Sequence, residues 1–132
     1  MSREILFRGK QKNNKWAEGK GIDANFDTPY ILTQEYDYET GFYLGEFAVI
    51  PETVGECSFV PDKNGVMMFE GDIVTGLFLF GMSINAVVAF KNGSFGLEWD
   101  RGGINTFNAF TSLCNVEYEV IGNIHDNPEL LK

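Results

Sequence analysis

Cysteine, histidine and proline are scarce in this chain of 132 residues, which holds two Cys, one His and four Pro. Zinc takes about four N, S or O ligands at close spacing, so His125 with the well-separated Cys57 and Cys114 does not make a structural zinc site. The same lone His would have to serve any Cys or Ser nucleophile, and no Gly-x-Ser-x-Gly elbow stands in the sequence to present one. Glycine-rich phosphate loops of the Walker or dinucleotide type are missing too, which leaves no cofactor to expect. No run approaches the roughly 18 apolar residues of a membrane span, and residues 1–8 lack a long apolar stretch leading to a cleavage site. The expectation is a soluble, cytoplasmic protein whose two thiols stay free and act as small buried hydrophobes. Pro- or Ser-rich linkers, repeats and low-complexity tracts are also lacking, so residues 1–132 read as a single domain.

Basic residues are the remaining shortage: 10 against 19 acidic ones give a net charge of −9, which argues against general affinity for a polyanion. The distribution says more. Residues 1–20 carry Arg3, Arg8, Lys10, Lys12, Lys15 and Lys20 against Glu4 and Glu18, a net of +4, while residues 21–132 have 4 bases and 17 acids, a net of −13. The ordinary reading is a solvated basic segment on an acidic body. The functional readings are docking onto a second copy's acidic face, or a small nucleic-acid contact.

What the chain has in plenty is apolar and aromatic content: 44% hydrophobic residues, 12 Phe among them, against 22% charged, the balance of a packed globule. Its periodicity is that of strands. Residues 4–8 place Ile5 and Phe7 on one face, residues 10–15 are polar and turn-forming, and Trp16 opens a second strand, so a β-hairpin is predicted with Asn13-Asn14 at its tip. Residues 21–28 read as a loop; 29–33 and 42–50 read as strands. Beyond Pro51 come strands over 54–60, 66–69, 73–80, 86–90, 94–99 and 116–124, with turns at 61–65 and Glu70-Gly71-Asp72. Lys91-Asn92-Gly93 between β-favouring runs is the strongest hairpin signal of the chain. Asn127, as helix N-cap before Pro128 and Glu129, predicts a C-terminal helix of a turn or two. Short strands at spacings of roughly 8–12 residues, with no helical period between them, predict a mainly β fold of antiparallel strands.

Several groups have residue types that could carry chemistry. Asp62-Lys63-Asn64-Gly65 has the opening of a calcium loop, but Val66 and Ile73 stand where its fifth and twelfth ligands belong, so a type I′ or related turn is the better reading. Glu70 and Asp72 flank Gly71 as ordinary bend residues, and His125 beside the helix start suits a surface or capping role. No catalytic constellation emerges, and the chain is not expected to be an enzyme. The unalternating run Gly76-Leu77-Phe78-Leu79-Phe80-Gly81-Met82 fits a strand buried on both faces or an apolar tip in a subunit interface.

Three blocks resemble the YopX family of phage and prophage proteins. They are Arg3-Glu4-Ile5-Leu6-Phe7-Arg8-Gly9-Lys10 with Trp16 and Gly19; Pro61-Asp62-Lys63-Asn64-Gly65 followed by Glu70-Gly71-Asp72-Ile73-Val74; and the run from Glu119 through Gly122-Asn123-Ile124-His125-Asp126-Asn127-Pro128 to Leu131. They come in the family's order and span both ends. A departure lies before the second block, where Gly55-Glu56-Cys57-Ser58-Phe59-Val60 replaces the family's Gly-Gln-aromatic-Thr-Gly-Leu-type run. The resemblance implies a small phage or prophage protein with a largely β fold and no established activity. The Gly-Asp-Ile-Val element also resembles the opening of SH3-like barrels, which adds a partly SH3-like barrel to the expected fold by analogy alone.

Two functions of different class follow. In one the chain is a phage accessory module that forms a homo-oligomer and binds a host or phage protein, with Phe78, Phe80, Phe107 and Phe110 as exposed anchors. In the other the barrel and the basic hairpin contact nucleic acid, with Trp16 or Tyr residues stacking on bases. The candidate interaction residues are Lys10, Lys12, Lys15, Trp16, Phe78 and Phe80, and the net acidity favours the first.

Overall fold

A computed structural model describes residues 4–24, 27–33, 36–39, 41–43, 45–79, 82–110 and 118–131. The chain divides into two compact units, Met1–Cys57 and Ser58–Lys132. Nearly all regular structure in both is antiparallel strand, as the short alternating segments predict.

In the first unit β1 (Phe7–Lys10) and β2 (Trp16–Gly19) form the predicted N-terminal hairpin, paired Phe7 to Gly19 through Lys10 to Trp16. The start of β8 (Gly55–Pro61) pairs with β1 on its other side, Phe7 opposite Glu56. A separate sheet runs β3 (Gly21–Asp23), β4 (Tyr30–Leu32), β7 (Glu46–Ala48). Where a loop was expected over 21–28, β3 is thus a strand at its first three residues. It is too short to show a period and is defined only by its partner β4. The strand expected over 42–50 is two pieces, since β6 (Phe42–Tyr43) pairs with β5 (Tyr36–Asp37) and β7 follows Gly45, whose φ of 91° breaks the run. A 3-10 turn, Pro51–Thr53, precedes β8. Ala17, Ile31 and Val49 form the core of this unit, with Phe7, Ile22 and Val54 against it.

In the second unit β9 (Met67–Phe69) lies beside β8. The principal sheet has the order β13-β12-β11-β10-β14, with β10 at Asp72–Leu79, β11 at Met82–Lys91, β12 at Ser94–Arg101, β13 at Ile104–Ala109 and β14 at Glu119–Asn123. β13 and β14 are the ends of that order, so where a partly SH3-like barrel was expected by analogy the principal sheet is open, and no closed barrel forms among the described residues. Strand alternation sorts the residues: Val74, Ala86, Val88, Leu97 and Trp99 share a buried core with Met68 and Tyr118, while Ile73, Val87, Glu98 and Phe107 follow one another in register on the opposite face. Each fully buried aliphatic side chain here, Val74, Val88 and Leu97, contributes about 1.5–3 kcal/mol. Gly76, at φ 110°, sits where the β10–β11 register shifts, so the alternation of β10 is reset just where the unalternating run begins. Phe80 and Gly81, like residues 111–117 at the front of the expected 116–124 strand, lie outside the described residues.

The C-terminal element is a 3-10 turn, Pro128–Leu131. Its first residue is the predicted proline, but the Asn127 side chain does not cap it. That side chain reaches back to accept the Asn123 N–H at 3.3 Å, and the Asn127 carbonyl takes the Leu130 N–H at 3.1 Å. Among the described residues no helix is long and apolar enough to cross a membrane.

Candidate interaction surfaces

The hairpin puts its small residues inward. Gly9 and Ala17 face each other across the strands, and a Cβ on Gly9 would fall 2.7 Å from the Val49 side chain, so nothing larger fits. Alternation then turns Arg8, Lys10, Trp16 and Glu18 to the outer face. Lys10 stands directly opposite Trp16, and the Arg8 guanidinium lies over the indole, 4.8 Å from the ring centroid, a cation–π contact worth about 0.5–1 kcal/mol where water reaches it. The loop beyond is closed by Gln11 N–H to the Lys15 carbonyl at 2.9 Å and Asn14 N–H to the Gln11 carbonyl at 3.0 Å, with Asn14 at φ 69°. Asn thus takes the left-handed position at the tip, as expected. The base is pinned too, because the Thr53 hydroxyl accepts the Lys10 N–H at 2.8 Å and donates to the Ile50 carbonyl at 2.6 Å.

Lys12 and Lys15 are exposed on this rigid loop, and neither makes an ion pair among the described residues. Four predicted site residues, Lys10, Lys12, Lys15 and Trp16, are therefore brought together in one hairpin, Lys10 and Trp16 on its strands and Lys12 and Lys15 on its loop. Arg8 belongs with them, although the sequence reading did not include it among the candidate interaction residues. The signal was its two-residue offset from Lys10, which puts both on the same face. A planar guanidinium braced by an indole, with ammonium groups beyond it, suits carboxylate or phosphate groups of a partner. Of the aromatic anchors, Phe78 lies in β10 opposite Ser83 and its side chain, like Phe80, is outside the described set. Phe107 and Phe110 are half-buried rather than exposed, and Phe110 is packed against the core cluster that holds Tyr118.

The carboxylates weighed for chemistry hold the backbone instead. Asp62 is buried; its Oδ1 accepts the N–H of Asn64 at 2.8 Å and of Val66 at 2.9 Å, and its Oδ2 accepts that of Val120 at 3.0 Å. Burial raises its pKa, but the three N–H groups and the Lys63 charge outweigh that and hold it below the ordinary carboxylate range. Of this loop only Gly65 takes a positive φ, 83°, so the turn is a type I turn with a glycine bulge rather than type I′. Asp72 Oδ2 accepts the Phe69 N–H at 2.8 Å across the Glu70-Gly71 bend. Asn123 Oδ1 accepts the N–H of His125 and of Asp126, closing the turn after β14. The Tyr118 hydroxyl is buried with no hydrogen bond among the described residues, and burial raises its pKa.

The second unit also has a cavity of about 160 Å³ on the sheet face opposite its core, lined by Asn85 and Val87 of β11, Glu98 and Asp100 of β12, Asn105 of β13 and Leu131 of the C-terminal turn. The Asn85 amide donates to the Leu130 carbonyl at 2.8 Å, which holds that turn over β11. Lys91 pairs with Glu98; Asp100 Oδ1 accepts the Gly103 N–H at 3.1 Å. Sequence reasoning missed this site, since its lining comes from four separate elements. The one local trace is Glu98 and Asp100 at the two-residue spacing of a strand face.

A family model described as YopX protein matches residues 6–132. Protein EF1440 from Enterococcus faecalis, known from a crystal structure, is similar with a TM-score of 0.61 and 23% identity, over 99% of this chain and 100% of that one, a likeness of fold. No curated protein matches.

Proposed function

We propose, for a chain that belongs to the YopX family, that it is a self-associating accessory module which binds through its basic N-terminal hairpin rather than an enzyme. The observation that carries this reading is the basic N-terminal hairpin, where the Arg8 guanidinium lies over Trp16 beside Lys10 on the outer face of β1–β2 and Lys12 and Lys15 stand exposed on the loop beyond, in a chain of net charge −9. Its partner is an acidic protein surface, and a second copy offers one. A basic patch meeting an acidic patch elsewhere on an identical subunit makes a head-to-tail contact, which closes into a ring or continues as a filament. The setting is the cytoplasm of a bacterial host carrying the phage or prophage, where a host or phage protein with a similar acidic surface would compete for the same face. Nucleic acid is the second reading, favoured by the cation-braced Trp16 and opposed by the net charge.

Trp16 itself reports on the contact. The chain has two Trp, and Trp99 is buried, so a Trp99→Phe chain leaves Trp16 as the emitter. Quenching of Trp16 by acrylamide is expected to fall as chain concentration rises at low salt. Equal quenching from dilute to concentrated solution contradicts the reading, and protection gained only on adding single-stranded DNA moves the hairpin to the nucleic-acid function.

A further inference from the structure

We infer that the 160 Å³ cavity on β11, β12 and β13 is the acceptor for a lysine at the hairpin tip, Lys12 or Lys15, of a second copy of this chain; this rests on the self-association proposed above. Size selects the class of occupant. Pockets for cofactors and drug-sized ligands run from roughly 300 to 1,000 Å³, so this one is short by half and suits a single side chain. Chemistry selects its charge. Among the described residues Asp100 has only the Gly103 N–H and no cation, Asn85 has committed its amide donor to Leu130 and keeps its carbonyl oxygen, and the Asn105 side chain has no hydrogen bond. The site therefore has acceptors in surplus, and an ammonium group brings three donors and no acceptor. Val87 and Leu131 supply apolar wall for the alkyl stem behind that head.

The donor fits the same description from the other side. Lys12 and Lys15 stand exposed on a closed loop with no ion pair among the described residues, so they dock with little ordering of the backbone. Lys91 already pairs with Glu98, which leaves Asp100 as the lining carboxylate with no cation among the described residues.

Charge exchange between two variants tests the pairing. Asp100→Lys alone and Lys12→Glu/Lys15→Glu alone are each expected to sediment as monomers, while their equimolar mixture recovers association, because both heterotypic contacts then join opposite charges. Asp100→Asn, which keeps an acceptor for Gly103 and removes only the charge, is expected to weaken association roughly tenfold and guards against a folding defect in the lysine variant. If Asp100→Lys associates like the native chain while the tip variant does not, the cavity is not the acceptor and the hairpin reading survives. If the mixture of the two variants fails to associate, the pairing is overturned; if the native chain is itself monomeric, both inferences fall.

Discussion

Asp62 is the residue on which the motif Pro61-Asp62-Lys63-Asn64-Gly65 turns, and its role is structural. One carboxylate closes its own loop through Asn64 and Val66 and ties that loop to β14 through Val120, while the Lys63 N–H reaches the Tyr118 carbonyl at 2.8 Å. Lys63 and Glu119 add an exposed pair at 3.4 Å, worth about 0–1 kcal/mol. Asp62→Asn places an NH2 group where one oxygen accepts, and loss of a charged acceptor from these part-buried N–H groups is expected to cost about 1.5–3 kcal/mol. The pKa direction fixes the pH dependence. A folded-state pKa below the unfolded value stabilises the protein above about pH 4 and loses that contribution as pH falls through the folded value. The melting temperature of the native chain is therefore expected to fall more between pH 5 and pH 3 than that of Asp62→Asn. Equal falls would show that Asp62 does not carry the effect.

At the scale of elements, the β11–β12 hairpin was fully legible, because Asn92-Gly93 requires positive φ at both residues and takes it, at 53° and 79°. Phe90 and Phe95 then pair edge to face at 4.9 Å beside the turn. A Cβ at Gly93 meets nothing within 4 Å, so Gly93→Val is expected to cost about 1–3 kcal/mol through backbone strain alone, and thermal unfolding checks it. An unchanged melting temperature would contradict the turn as described. The basic hairpin was legible for similar reasons, since Asn13-Asn14 and the Phe7/Gly9 alternation are local signals. β3 and β13 were not. Gly21-Ile22-Asp23 is too short for any period, and Ile104–Ala109 carries two Asn among its six residues, so both are strands because of the partners they pair with. The turn at Asp62, expected as type I′ or a related one, is the related type I with a glycine bulge, because Asp62 Oδ1 accepts the N–H groups of Asn64 and Val66 within its own loop.

Across the whole molecule, the residues that carry the family resemblance sit at joints of the fold. Asp62, Asp72 and Asn123 each hold backbone N–H groups of a turn, and Gly71 both donates to Val88 and accepts from Ile124. A resemblance carried by such residues speaks of architecture, and what the chain binds is left to its surfaces. The cavity shows the limit of reading from sequence, for Asn85, Asp100, Asn105 and Leu131 meet only after the sheet is assembled.

The central claim is self-association through charge, and light scattering coupled to size-exclusion chromatography tests it most directly. At low salt the native chain is expected to run above its monomer mass of 14.8 kDa, and to shift toward that mass as salt screens the hairpin's exposed lysines. A mass of 14.8 kDa at both low and high salt contradicts the account; an assembly indifferent to salt contradicts the charged contact and transfers the association to apolar surface, which salt does not weaken.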